Sequence, residues 1–177
     1  MKIRFNRIIQ PTDLESVREI YEASFPPKER REFFQLKQLI SDRELFVNQI
    51  ITDKNIVAGL CIFWVFNEFA FIEHLAVKPE LRGIGIGEEA LSVLREKFKI
   101  ILLETELPVD EISKRRIKFY ERNGFSLLER QYFQPSYGNN KPEVELKIMS
   151  TDENISNEKL DEYLLQIRKK VYLKISY

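Results

Sequence analysis

Glu73-His74-Leu75-Ala76-Val77-Lys78-Pro79-Glu80-Leu81-Arg82-Gly83-Ile84-Gly85-Ile86-Gly87-Glu88 decides how this chain is read. An apolar run stops at Val77, Pro79 interrupts it, and three glycines then alternate with Ile84 and Ile86. Leu91, Leu94 and Phe98 follow at helical spacing, and Ile100-Ile101-Leu102-Leu103-Glu104 opens another apolar run. The pattern predicts strand, glycine loop, helix and strand, a crossover that sets its two strands parallel and is right-handed in nearly all proteins. The first turn of a helix offers unpartnered amides and the positive end of a dipole, so a glycine loop feeding it can hold an anion. A tight strand-to-helix turn would use the same glycines, and the loop alone leaves both readings open. Glu88 stands where a dinucleotide fingerprint has its last glycine, and no Gly-Lys-Ser/Thr follows as a P-loop requires, so neither NAD nor ATP is favoured.

Upstream, residues 45–52, 56–66 and 69–77 are apolar stretches joined by Asp53-Lys54-Asn55 and Asn67-Glu68, links short enough only for antiparallel hairpins. Residues 2–10 read as a first strand. Thr12-Asp13-Leu14-Glu15 has the form of a capping box ahead of a helix carrying Leu14, Val17, Tyr21 and Phe25. Pro26-Pro27 ends that helix, and a second is predicted over 28–40 with Phe33, Leu36, Leu39 and Ile40 inward. Downstream, a helix over 110–123 closes at Gly124, and strands are expected over 125–133 and 144–149. The expected fold is α/β in the α+β sense: a mixed, mostly antiparallel sheet flanked by helices, with one parallel strand pair. Residues 1–150 form its core. Residues 151–177 add a helix whose Leu160, Tyr163, Leu164, Ile167 and Val171 need cover, on the core or on a second subunit of a homodimer.

At 177 residues and 44% hydrophobic content one domain can bury most of its apolar surface. The 28 basic residues cancel the 28 acidic ones, so no overall field recruits nucleic acid or a membrane surface. Cys61 lies in an apolar run and reads as a buried thiol rather than a nucleophile. No signal-like apolar segment follows Met1, no run approaches the ~20 residues needed to span a bilayer, and a cytoplasmic protein is expected. No metal site is expected.

The quoted stretch resembles the GNAT acetyltransferase superfamily, whose signature is a strand ending L-x-V, then P-x-x-Q/R-x-x-G-x-G/A, then a helix. A second family pattern, Y-x-x-x-G-F, is met by Tyr120-Glu121-Arg122-Asn123-Gly124-Phe125. The resemblance covers residues 1–150 and implies that the parallel strands splay to admit acetyl-CoA as cosubstrate. Backbone groups of Leu75, Ala76 and Val77 would pair with its pantetheine arm. The segment Arg82, Gly83, Ile84, Gly85, Ile86, Gly87 and Glu88 would hold the pyrophosphate, with the Glu88 side chain turned to solvent. Ser113 stands where the family commonly has an asparagine.

Acyl transfer from a thioester to an amine needs a neutral amine, a stabilised oxyanion and a proton for the thiolate. By resemblance the acid is Tyr120. A phenol of pKa about 10 facing a thiol of about 8.5 has no strong driving force, so its benefit depends on position. Glu73 is the first candidate base, being a carboxylate within an apolar strand, and Glu104 at the end of the neighbouring parallel strand is the second. On a regular strand His74 points away from Glu73 and is structural. Lys28-Glu29-Arg30-Arg31 and Lys114-Arg115-Arg116 read as solvated helix faces that could alternatively meet CoA phosphates. Acceptor recognition is expected from residues 26–40 and 131–142, rich in aromatics such as Phe33, Phe34, Tyr132, Phe133 and Tyr137. The function expected is N-acetyl transfer from acetyl-CoA to a primary amine, small or peptidic, in a ternary complex. The alternative is a non-catalytic acyl-CoA sensor on the same fold.

Overall fold

A computed structural model describes residues 2–138 and 141–173. Among these, β1 (Ile3–Ile8), β2 (Leu45–Thr52), β3 (Val57–Val65), β4 (Ala70–Val77), β5 (Ile101–Glu106), β6 (Ser126–Leu127), β7 (Tyr132–Gln134) and β8 (Val144–Ser150) share one sheet. Its order is β1-β2-β3-β4-β5-β8-β6, with β7 also paired to β8. β4 and β5 pair in parallel and the other neighbours antiparallel. This is the mixed, mostly antiparallel sheet that the hairpin links and the single crossover predict.

Helices cover both faces, each burying one apolar stripe. α1 (Glu15–Ser24), α2 (Phe33–Leu39) and α5 (Asn157–Ile167) supply Val17, Tyr21, Leu36, Tyr163 and Ile167 to one core. α3 (Ile86–Lys97) and α4 (Glu111–Arg122) supply Leu91, Leu94 and Ile117 to the other. Leu160, Tyr163, Ile167 and Val171 are buried against the chain's own core, with Leu164 packed beside them. No described helix is long and apolar enough to cross a membrane.

Three local expectations change. The Thr12 capping box does not form: Leu14, fully buried, is the N-cap of α1 without a side-chain bond. The amides of Ser16 and Val17 are already taken by the carbonyls of Asp13 and Leu14, so no cap is needed. The second helix is shorter than 28–40. A 3-10 turn at Pro27–Glu29 gives way to extended backbone at Arg30, and α2 starts after a Glu32–Gln35 capping box. The predicted strand over 125–133 breaks in two, because between Leu127↔Met149 and Tyr132↔Leu146 five of its steps run against three of β8.

Candidate active site

β4 and β5 pair at Ala70↔Ile101, Phe71↔Leu102 and Ile72↔Leu103, and there the pairing stops. Beyond it β4 stays bonded to β3 as far as Val77↔Gly59, while β5 bonds to β8 as far as Glu106↔Leu146. The strands therefore part at Glu73 and Glu104, the next residues on each. The parting opens a cleft of about 720 Å³ lined by both strands, the glycine loop and α4. One edge of the segment Leu75 to Val77 has no strand neighbour within the sheet and lines the cleft, with the Val77 carbonyl already accepting from Arg82 Nε. The other edge is pressed against β3 at Gly59, where a Cβ would lie 2.2 Å from the Ala76 carbonyl oxygen.

At the mouth, Gly83 and Gly85 have φ of +77° and +87°, a backbone region that glycine adopts without penalty. Gly85 is the N-cap of α3, so the first amides of that helix, from Ile86 to Glu88, open onto the cleft. A Cβ at either glycine would meet nothing within 4 Å, so backbone conformation rather than crowding calls for glycine there. Gly87 differs, since its Cβ would sit 3.0 Å from the Phe119 ring. Arg82 turns back to donate from Nε to the Val77 carbonyl at 2.9 Å. Ile84 is exposed outside the cleft, and Glu88 is exposed at its rim.

At the apex the two candidate carboxylates are held in different ways. Glu73 has a side chain only 1% exposed and is bonded to Arg31 (3.0 Å), Trp64 Nε1 (2.6 Å) and the Tyr137 hydroxyl (3.0 Å). Burial acts to raise its pKa, but the Arg31 charge and the other donors outweigh burial and hold it below the ordinary carboxylate value. Glu104 accepts from the hydroxyls of Tyr132 and Tyr172 (2.7 Å for the latter) and from Gln134 Nε2 at 2.9 Å. None of these carries a charge, and burial, with repulsion from Glu73, pushes Glu104 up to about 7.

His74 does not point away from Glu73. Ile62 pairs with His74 and Phe63 with Ile72, leaving Glu73 as an extra residue in β4. This bulge breaks the two-residue alternation and turns both side chains to the same side, with His74 Nε2 3.9 Å from Glu73 Oε1. His74 packs against Tyr21 and Phe25, and its buried Nε2 has no hydrogen-bond partner among the described residues. Burial brings its pKa down to about 4, so the ring is neutral at pH 7. Glu73 as a residue is partly accessible although its side chain is not, so what it shows to the cleft is backbone.

Tyr120 lines the opposite wall, its ring packed on Phe119 and Phe125. Burial pushes its hydroxyl up to about 12. Ser113 is occupied in the capping box of α4 with Asp110. Arg116 pairs with Glu106 beside the cleft, and Lys114 with exposed Glu111. Arg31 departs from its predicted solvated face, being 2% exposed and tied to Glu73. Phe34 and Phe133 are exposed, whereas Phe25, Pro26, Glu29 and Gln134 line the cleft; residues 139 and 140 of the expected acceptor loop lie outside the described residues. Arg31, Trp64, Gln134 and Tyr172 escaped the sequence reading as site residues. Arg31 carried no signal, lying in the charged run Lys28-Glu29-Arg30-Arg31-Glu32, and Trp64 stood in an apolar run that suits an indole whatever it bonds to.

Residues 14–125 match the acetyltransferase (GNAT) family. The chain is 32% identical over 104 residues to YjbC of Bacillus subtilis, a protein provisionally named an acetyltransferase. The match takes in 57% of this chain and 52% of YjbC, so the chain spans about half of that relative's length. A Bacteroides thetaiotaomicron structure assigned to the GNAT family superposes with a TM-score of 0.83 at 36% identity, over 96% of this chain and 98% of that one. Arabidopsis thaliana Naa50, solved with the bisubstrate analogue CoA-Ac-MVNAL, gives a TM-score of 0.63 at 19% identity, over 85% of this chain and 98% of that one, a likeness of fold.

Proposed function

This chain belongs to the GNAT acetyltransferase family, and we propose that it moves an acetyl group from acetyl-CoA to a primary amine by direct attack in a ternary complex. The observation that carries the proposal is the parting of β4 and β5 between two kinds of group: positive-φ glycines at the mouth and a buried carboxylate near pKa 7 at the apex.

Acetyl-CoA would lay its pantetheine arm along the unpaired edge of Leu75, Ala76 and Val77 and its pyrophosphate against the amides of residues 83–88. Arg82 would close the loop around the phosphates through its remaining N–H groups. Glu88, at the rim, stays hydrated to avoid repelling them. The thioester then reaches the bulge at Glu73, where exposed backbone can donate to the carbonyl oxygen as it gains charge.

Glu104 is proposed as the base. A carboxylate poised near the working pH can take a proton from the attacking amine and still be about half ionised beforehand. Glu73 suits that role poorly: the Arg31 guanidinium holds it ionised, and its lowered pKa makes it the weaker proton acceptor of the two. It serves instead as the fixed counter-charge of Arg31. As the C–N bond forms and the C–S bond breaks, Tyr120 donates to the departing sulfur. With the hydroxyl near 12 and a thiol near 8.5, full transfer is uphill by roughly 5 kcal/mol, so a hydrogen bond to the thiolate is its proposed contribution.

The test is release of free thiol from acetyl-CoA with a panel of alkylamines, amino acids and peptides, beside calorimetry with CoA alone. Acceptor-dependent thiol release at rates above the uncatalysed reaction is expected. CoA binding with no turnover on any amine class would instead indicate a sensor.

A further inference from the structure

The family match ends at residue 125, yet much of what holds the two apex carboxylates lies beyond it. α5 does not stop at Ile167. Residues Arg168–Tyr172 continue it as a π-turn in which the neighbours Val171 and Tyr172 are both buried. From there the turn reaches both acids. The Val171 carbonyl accepts from Arg31 Nη2 at 2.6 Å, and the same nitrogen lies 3.0 Å from Glu73 Oε1. The Tyr172 hydroxyl donates to Glu104 Oε2 at 2.7 Å, and accepts from Gln134 Nε2 at 3.3 Å while Gln134 also donates to Glu104.

We infer that the C-terminal turn is a working part of the acceptor end of the site, and that Tyr172 is a positioning residue for Glu104. The inference rests on Glu104 being the base. Three features separate it from mere packing. Tyr172 buries a hydroxyl as well as a ring, and that hydroxyl is spent on the one apex carboxylate without a cation. The Tyr137 ring lies between the two halves of the cluster, 4.8 Å from the Tyr172 ring and bonded through its hydroxyl to Glu73. The Gln134 side chain, which bonds to both Glu104 and Tyr172, belongs to a residue that lines the cleft, so the turn's contacts continue to the cleft wall, and its buried Oε1 has no hydrogen-bond partner among the described residues.

The groups facing Glu104 are Tyr132 and Gln134 from β7, Tyr172 from the turn and Glu73 from β4. Arg31 and Tyr137 stand behind Glu73 and Tyr172, and Arg168 acts on Tyr132. A donor to the ionised carboxylate favours ionisation, so removing one must raise the pH at which Glu104 becomes a base.

Tyr172→Phe keeps the ring and removes the donor. In the full chain the acidic limb of kcat/KM should move up by about half to one pH unit, lowering the rate at pH 6 roughly three- to tenfold and leaving it within about twofold at pH 9. A carbon-13 carboxyl titration of Glu104 by NMR should move by the same amount, read below the variant's own melting temperature so that lost stability is not mistaken for the lost contact. A variant whose Glu104 titration and acidic limb both stay in place overturns the inference, whatever its melting temperature. Glu104→Gln separates the two levels. If that change leaves turnover intact, the base assignment itself fails; if it abolishes turnover while Tyr172→Phe moves nothing, only the role of the turn fails.

Discussion

Glu73 and Glu104 are the first residues past the last pair of the parallel strands, both inside, both bonded to three side chains, and they titrate in opposite directions. Glu73 has a guanidinium among its partners and is held ionised; Glu104 has two phenols and an amide and is pushed up to about 7. Neutral donors reduce the cost of burying a carboxylate, and a formal charge adds an attraction that here keeps Glu73 ionised. A fold can thus make one acid structural and its neighbour reactive by choosing which of them receives the cation.

Breaking the charged half should have the largest effect. Arg31→Met leaves Glu73 buried without its counter-charge, which costs about 3–5 kcal/mol and lowers the melting temperature by roughly 10 °C. A fall of under about 3 °C would mean that the Tyr137 and Trp64 donors suffice, and the contrast between the two acids would collapse.

The next effect lies in pH. Glu104 titrates near 4.5 unfolded and about 7 folded, so across that window the folded protein keeps a proton that the unfolded chain has lost. Its contribution to stability therefore falls as pH rises, by about 3 kcal/mol in all. His74, depressed from 6.5 to about 4, acts oppositely, since below 6.5 the unfolded chain takes the proton first and stability falls as pH drops. The two nearly cancel in the unaltered protein. Glu104→Gln removes one of them, so its stability relative to the unaltered protein should climb between pH 4.5 and 7 in thermal scans. A difference that stays constant with pH would place Glu104's folded pKa near its ordinary value. Glu73, being depressed, adds stability above 4.5 that is lost only as pH falls through its lower folded value.

Tyr120→Phe is the smallest of the three. It removes a hydroxyl from the wall opposite Glu104 and keeps the ring on Phe119 and Phe125. Turnover at saturating acetyl-CoA should fall about tenfold to a hundredfold with CoA affinity little changed. Normal turnover with a lower melting temperature would leave Tyr120 a packing residue and the thiolate to solvent.

The mouth of the cleft was legible in the sequence because it is local. Residues 75–88 are consecutive, built from backbone, and punctuated by glycines whose positive φ is a property of the residue type. The sheet was legible for a similar reason, since two- and three-residue links permit only hairpins. The apex is different. Arg31, Trp64, Glu73, Glu104, Tyr132, Gln134, Tyr137 and Tyr172 come from across the chain, and no periodicity links Arg31 to Val171, 140 residues away. The bulge at Glu73 was hidden too, because one extra residue in a strand leaves no mark in an apolar run and reverses every alternation-based statement about His74. The rule that a lone carboxylate in an apolar strand marks a reactive group singled out Glu73, but nothing in that strand shows that Arg31 would fill it.

The most direct test of Glu104 as the base is the dependence of kcat/KM on pH from 5.5 to 9, for the unaltered protein and for Glu104→Gln with the same amine acceptor. The unaltered protein should gain activity through a limb centred near 7, and Glu104→Gln should lose about 10²- to 10⁴-fold at pH 8 together with that limb. A variant that keeps the limb and most of its activity would contradict the account and assign the proton to another group.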